Sequence, residues 1–170
     1  GGLNARGPKR LSPRLQNITM DAQIIDTEAI LADRDGWQKM LNGCPKAFST
    51  IDPGGRIGIF ANGDFSTSIA NLDGTMLVWD IAEDGIGVDY VRFKRQHFHR
   101  ANVDLLFVVD DDTLQMLHGA TEEVLIEELV KRANHGQIIL FFMIGRDDLE
   151  DYGYFDFLEV VGLSFLGPCR

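Results

Sequence analysis

Between residues 56 and 93, short strand-like runs alternate with two-residue turn signals. RIGIF (56–60) precedes Asn62-Gly63, DFSTSIA (64–70) precedes Asp73-Gly74, TMLVWDI (75–81) precedes Asp84-Gly85, and VDYVRF (88–93) closes the series. Asn-Gly and Asp-Gly supply the positive φ that tight hairpins need, so the pattern predicts an antiparallel meander of about four to five strands. Within DFSTSIA, Phe65, Thr67 and Ile69 share one side and Ser66 and Ser68 the other, which makes one face wetter. Two later runs, LLFVV (105–109) and IILFFMI (138–144), are apolar at every position, the pattern of strands covered on both faces.

Helical spacing flanks the meander. Thr27 serves as an N-cap, after which Ile30, Leu31, Trp37, Met40 and Leu41 recur near helical intervals, interrupted by Asp-Arg-Asp-Gly at 33–36. One broken helix or two short ones follow from this, ended by Asn42-Gly43 and Pro45, with a turn at 52–55. TEEVLIEELVKRAN (121–134) is amphipathic: Thr121 caps it, Leu125, Ile126, Leu129 and Ala133 form the inward stripe, and Gly136 ends it. Glu127 with Lys131, and Glu128 with Arg132, add pairs four residues apart. The strand, helix, strand order suits a crossover with 105–109 and 138–144 parallel in one sheet, an antiparallel return remaining open. From Asp147 to about Leu166 the chain reads as helix interrupted by Gly153 and Gly162. The expected fold is α+β (mixed α/β): an N-terminal helical segment, the meander, then helix, strand and helix completing a single mixed sheet. Residues 20–170 form this one domain, and residues 1–19 a basic arm without regular structure.

Charge divides the chain in the same place. The net charge is −10, yet residues 1–19 hold Arg6, Lys9, Arg10 and Arg14 and no acid, which leaves the remainder four charges more negative, at −14. That body would repel a polyanion at long range, which disfavours nucleic acid as a partner. One cationic stretch survives on it, where Arg92, Lys94, Arg95 and Arg100 flank His97 and His99, with Tyr90, Phe93 and Phe98 interleaved. Cations beside aromatic rings suit phosphate, carboxylate or stacked bases. The competing reading is an edge strand blunted by Lys and Arg against unwanted pairing. Arm and patch together point to an acidic surface on a protein partner or larger complex. Cys44 and Cys169 have neither disulfide-framework nor metal-knuckle spacing, so the cytoplasm or another reducing compartment is the expected home. No run approaches the roughly 18 apolar residues of a membrane span. Oligomeric state leaves no signal in the pattern.

Candidate chemistry is carried by acids. Asp110, Asp111 and Asp112 directly follow an apolar strand, where open α/β sheets gather ligand groups, and carboxylates there can hold a Mg²⁺ that bridges phosphate oxygens. Asp147 and Asp148 follow the second apolar strand, so parallel neighbours would bring both clusters to one end. The string LLFVVDDD resembles the acidic pocket of response-regulator receiver domains, but the chain after Asp112 is too short for the further β–α units a receiver needs. His97 and His99, with Asp104 downstream, resemble the first metal motif of cupins, and no second motif follows. Residues 148–159 resemble an EF-hand calcium loop, with Asp148, Glu150, Gly153, Asp156 and Glu159 at its first, third, sixth, ninth and twelfth positions. Tyr152 departs from that pattern at the fifth. No nucleophile elbow or Walker phosphate loop is present.

The expectation is therefore a non-catalytic protein-interaction or assembly module without a cofactor, docking an acidic partner through arm and patch. The alternative is a divalent-metal-dependent phosphoryl-transfer or hydrolase-type domain using Asp110, Asp111 and Asp112 with Mg²⁺. A third reading is a Ca²⁺-binding protein built on residues 148–159.

Overall fold

The computed structural model describes residues 26–62, 73–94 and 102–163. Helices α1 (Thr27–Ala32) and α2 (Arg34–Asn42) are the two halves of the interrupted helical run. The first cap is Asp26 rather than Thr27: its carboxylate accepts from the Ala29 amide at 3.1 Å. Asp33 does the same for α2, accepting from the Gly36 amide at 3.2 Å, so one acidic residue ends the first helix and starts the second. A short α3 (Pro45–Phe48) follows, with proline in its first turn.

Five strands form one mixed sheet: β1 (Arg56–Ala61), β2 (Asp73–Ala82), β3 (Gly85–Lys94), β4 (Leu105–Val109) and β5 (Ile138–Phe142), in the order β3-β2-β1-β4-β5. β1 runs parallel to β4, and the other neighbours are antiparallel. The α+β class is the one the sequence predicts. A hairpin forms at Asp84-Gly85, but one residue earlier than the dipeptide predicts: Ala82 pairs with Gly85, so Glu83 and Asp84 make the turn and Gly85, with a φ of +144°, opens β3. Asp73-Gly74 makes none: both residues lie inside β2, opposite Lys94 and Phe93. Gly63 and the predicted strand at 64–70 lie outside the described residues.

The last two strands correct the crossover reading. Two helices, α4 (Asp111–His118) and α5 (Glu122–Asn134), separate β4 from β5. The chain leaves the end of β4 along one and returns along the other, so β5 starts where β4 stopped, and the Asp110 amide donates to the Gln137 carbonyl at 3.2 Å. The pair is antiparallel, with Val109 opposite Ile138 and Leu105 opposite Phe142. Taking 110–112 for an acidic loop hides the extra helix. Thr121 caps α5 as predicted, accepting from the Val124 amide, and of the two predicted pairs Glu128 with Arg132 forms, at 3.1 Å. Helices α6 (Arg146–Asp151) and α7 (Tyr154–Val160) complete the chain, joined at Gly153. A Cβ on Gly153 would sit 1.9 Å from the Thr50 carbonyl oxygen, and its φ of +85° also demands glycine.

All the helices that enter the main core pack on one face of the sheet, where Trp37, Phe48, Leu114 and Phe157 meet Ile59 and Phe107. The other face carries a smaller cluster of Phe60, Met76, Val78, Val103, Leu106 and Val108. β4 is buried throughout, as its sequence predicts. β5 is not: it is an edge strand in which Ile138 is buried and Ile139 is 41% exposed. Among the described residues no helix is long and apolar enough to cross a membrane.

Candidate functional site

Where α1 lies over the β1–β2–β3 portion of the sheet, a cleft of about 660 Å³ opens. Leu31 and Ala32 of α1, with Phe60 and Ala61 at the end of β1, give it apolar surface. Thr27 and Glu28 on the helix, and Thr75 and Arg92 on the sheet, give it polar groups. Tyr90 ties the walls together, because its hydroxyl donates to the Leu31 carbonyl while its ring lies under the Arg34 guanidinium at 5.2 Å. Burial pushes the Tyr90 phenol above its ordinary value, with the Arg34 charge opposing, so it remains a neutral donor. Arg34 also donates to the Val88 carbonyl at 2.6 Å, which holds α2 against β3.

Of the predicted basic patch, Arg92 and Lys94 are described. Both are exposed, and strand alternation places them on the same face as Tyr90, so the cations continue outward from the cleft wall. Arg95, His97, His99 and Arg100 lie outside the described residues, as do Arg6, Lys9, Arg10 and Arg14 of the arm.

The acidic cluster has structural employment. Asp110 is the N-cap of α4: one carboxylate oxygen accepts from the Thr113 amide at 2.8 Å and the other from the Gln137 side chain at 3.2 Å. Asp112 pairs with Arg132 at 2.7 Å, and that guanidinium also holds Glu128. The carboxylate of Glu128 is held below its ordinary range by hydrogen bonds from Lys131 and Arg132. Asp111 sits in the first turn of α4, where a negative charge complements the helix dipole. Because β5 runs antiparallel to β4, Asp147 and Asp148 stand at the opposite end of the strand pair from Asp110. The shared acidic end that parallel neighbours would have made is not formed.

The calcium-loop reading meets a different obstacle. Asp148 and Glu150 belong to α6, Asp156 and Glu159 to α7, so helix occupies most of the window that an EF-hand gives to an irregular loop. All four carboxylates are on exposed residues, while Leu149, Tyr154, Phe157 and Leu158 between them fill the core. Among the described residues no three His, Cys, Asp or Glu side chains converge to hold a metal ion.

Asp104, considered only as a downstream partner of His97 and His99, acts elsewhere. Its carboxylate accepts from the Arg56 amide at 3.0 Å and from the Tyr154 hydroxyl at 2.5 Å. Tyr154 is fully buried, and burial together with the Asp104 carboxylate raises its phenol far above the usual range. Arg56 spreads its charge over Asp80 at 3.0 Å and Asp89 at 3.7 Å. This network locks α7 to the starts of β1 and β4, and all its members have internal partners. Cys44 is buried and its thiol is pushed up to about 11 by burial and then by Glu122, which suits packing rather than nucleophilic chemistry.

Sequence reasoning missed the cleft, since its lining comes from four separated stretches around residues 27–32, 60–61, 74–75 and 90–92. The one local signal was Tyr90 beside Arg92, already noted within the basic stretch.

No protein-family model and no curated protein matches the chain. Among solved structures, it is similar to the solution structure of a conserved hypothetical protein from Thermus thermophilus, described as possibly a sterol carrier protein. The two share 19% identity over 83% of this chain and 90% of the other, with a TM-score of 0.41. A similarity that low carries no argument about what this chain does.

Proposed function

We propose that the protein is a non-catalytic interaction module that docks an acidic segment of a protein partner in the cleft between α1 and the β1–β2–β3 portion of the sheet. One observation carries the reading: apolar surface from Leu31, Phe60 and the Tyr90 ring is continued along the same face of β3 by the exposed cations Arg92 and Lys94. An apolar anchor in the cleft with carboxylates reaching Arg92 and Lys94 uses both parts. Glu28 on the helical wall opposes a carboxylate on its own side and so favours one orientation. Of the three carboxylates that the catalytic alternative uses, Asp110 is engaged in a cap and Asp112 in an ion pair, which supports a binding role over a hydrolytic one.

The test is an amide NMR titration of the full chain with a short peptide of Glu and Phe residues at low salt. Shifts are expected at Ala32, Ala61, Thr75 and Arg92, and they should weaken about tenfold or more in an Arg92→Glu, Lys94→Glu variant. A double variant Lys46→Glu, Arg146→Glu makes the same change in net charge away from the cleft lining and serves as the control. Shifts that ignore the cleft, or an equal loss in the control, would overturn the assignment.

A further inference from the structure

Helix α1 forms one wall of the cleft and has little to hold it: none of its six residues is buried, and it packs against α4. Among the described residues, three side-chain hydrogen bonds tie this wall and its closing residue, Asp33, to the elements around it. The Trp37 indole N–H donates to the Ile30 carbonyl at 2.9 Å, the Tyr90 hydroxyl to the Leu31 carbonyl, and His118 Nε2 meets the Asp33 carboxylate at 2.8 Å. The first two are indifferent to pH near neutrality, because an indole does not titrate there and burial raises the Tyr90 phenol above its ordinary value. The third is not, since histidine is the side chain whose charge ordinarily changes between about pH 5 and 8.

Gly36 shows that room is kept for this contact. It lies within α2, where glycine is a poor helix former, and its backbone needs no positive φ. A Cβ there would stand 2.5 Å from His118 Nε2 and closer still to the Asp33 carboxylate, so glycine admits the imidazole. An ionised carboxylate only accepts, so Nε2 carries a proton in this contact whether the ring is neutral or charged. Among the described residues no other charged group bonds to the ring. On α1 and α2, which pack against α4, Arg34 turns to the Val88 carbonyl and the Tyr90 ring, Glu28 lines the cleft, and Asp35 and Lys39 make neither a hydrogen bond nor an ion pair with the ring. On α4 itself Asp111 and Asp112 stand at the far end, Asp112 against Arg132.

We infer that His118 is a pH-sensitive strap on the α1 wall of the cleft: as an imidazolium it holds Asp33 by charge and hydrogen bond together, and as a neutral ring by the hydrogen bond alone. The extra hold is present while the ring is charged and is lost as pH rises through its titration, so the wall is firmest on the acid side of neutrality. Asp33 stays ionised across that window, because the His118 contact holds its carboxyl below the ordinary value of 3.8. The strap acts on the wall itself, whatever the cleft binds.

NMR of the full chain without ligand, between about pH 5 and 8, tests this. Protection of the Ile30, Leu31 and Ala32 amides, corrected for the intrinsic pH dependence of exchange, should fall about twofold to fivefold with the same midpoint as the His118 ring, the size of an exposed ion pair. His118→Gln keeps a donor without a charge and should abolish that midpoint. Gly36→Ala should abolish it too, by displacing the pair while α2 persists. His135→Gln, at an exposed ring bonded to the Lys131 carbonyl, should leave it in place. Protection at α1 that stays flat while the His118 ring titrates overturns the inference, as does a midpoint that survives in folded His118→Gln. Should the variants not fold, the wild-type curves decide. Peptide binding to the cleft is read separately, so its absence counts against the proposed function and not against the strap.

Discussion

The two edges of this sheet are built on opposite plans. At β3, helix α2 lies along the strand and its side chains supply donors to the edge: Arg34 to the Val88 carbonyl at 2.6 Å, and Gln38 to the Ile86 carbonyl at 2.7 Å. Polar residues Asp89, Arg92 and Lys94 decorate what the helix leaves uncovered. At β5 no described residue supplies such a donor, and the strand carries no charge at all. One edge is held by the side chains of a capped helix with the cleft beside it, and among the described residues no side-chain donor reaches the other, wholly apolar edge.

The largest effect should come from removing the helix that covers β3. Trp37 anchors α2: it is fully buried, its indole N–H donates to the Ile30 carbonyl at 2.9 Å, and it packs against Trp79 and His118. Trp37→Ala should lower unfolding free energy by about 3–5 kcal/mol in denaturant titration. Exchange at β3 amides should rise with it, while β5 keeps its behaviour. Equal loosening of both edges would deny that α2 protects one of them.

Tyr154→Phe is a control at the centre of the sheet. It strips the Asp104 carboxylate and the Arg56 amide of a buried partner, a loss of roughly 1–3 kcal/mol. The Tyr154 hydroxyl bonds to neither edge strand, so stability should fall while the β3 and β5 exchange patterns remain distinct. A selective change at one edge would show that the network sets edge protection.

The edges also show what could be read from the chain. Asp84-Gly85 and Thr121 were legible because a hairpin turn and a helix cap are local, each decided within about four residues. Asp73-Gly74 was not, since the same dipeptide fits inside a strand once Lys94 and Phe93 lie opposite. Asp110 was read as a ligand although its chemistry is that of a cap, and the clue was Thr113 three residues on with Leu114 and Leu117 behind it. The strand at 138–144 looked like its buried counterpart at 105–109 because both are wholly apolar. What puts one inside is that β4 pairs with β1 as well as with β5, and that is a property of topology. The cleft was illegible for the same reason, being assembled from stretches distant in sequence.

A smaller perturbation opens the covered edge without removing its helix. Arg34→Met with Gln38→Met keeps side-chain bulk and deletes both donors to β3. We expect a loss of about 1 kcal/mol per hydrogen bond at most and faster exchange at Gly87 and Asp89, whose amides face β2 next to the two released carbonyls. If those amides exchange at the wild-type rate, the cover lies in the packing of α2 and not in its donors.

The smallest effect is a pH signature at the cap of that same helix. The Asp33 carboxylate meets the His118 imidazole at 2.8 Å and the Gly36 amide at 3.2 Å, contacts that hold it below its ordinary value of 3.8, the His118 hydrogen bond contributing most. A depressed folded-state value means that the stabilisation is complete above the unfolded value and is lost as pH falls through the folded one. The melting temperature of the wild type should therefore exceed that of Asp33→Asn above pH 3.8, and the gap should close on further acidification. The gap should be modest because the pair is exposed and screened by solvent. Nothing comparable is expected for a Gln137→Ala variant at the entrance of β5, whose side chain donates to Asp110 across the strand pair. A gap that persists to the lowest pH at which the chain stays folded would show that Asp33 acts through its shape as a cap, with its charge immaterial, and would remove charge from the account of how α2 is held over β3.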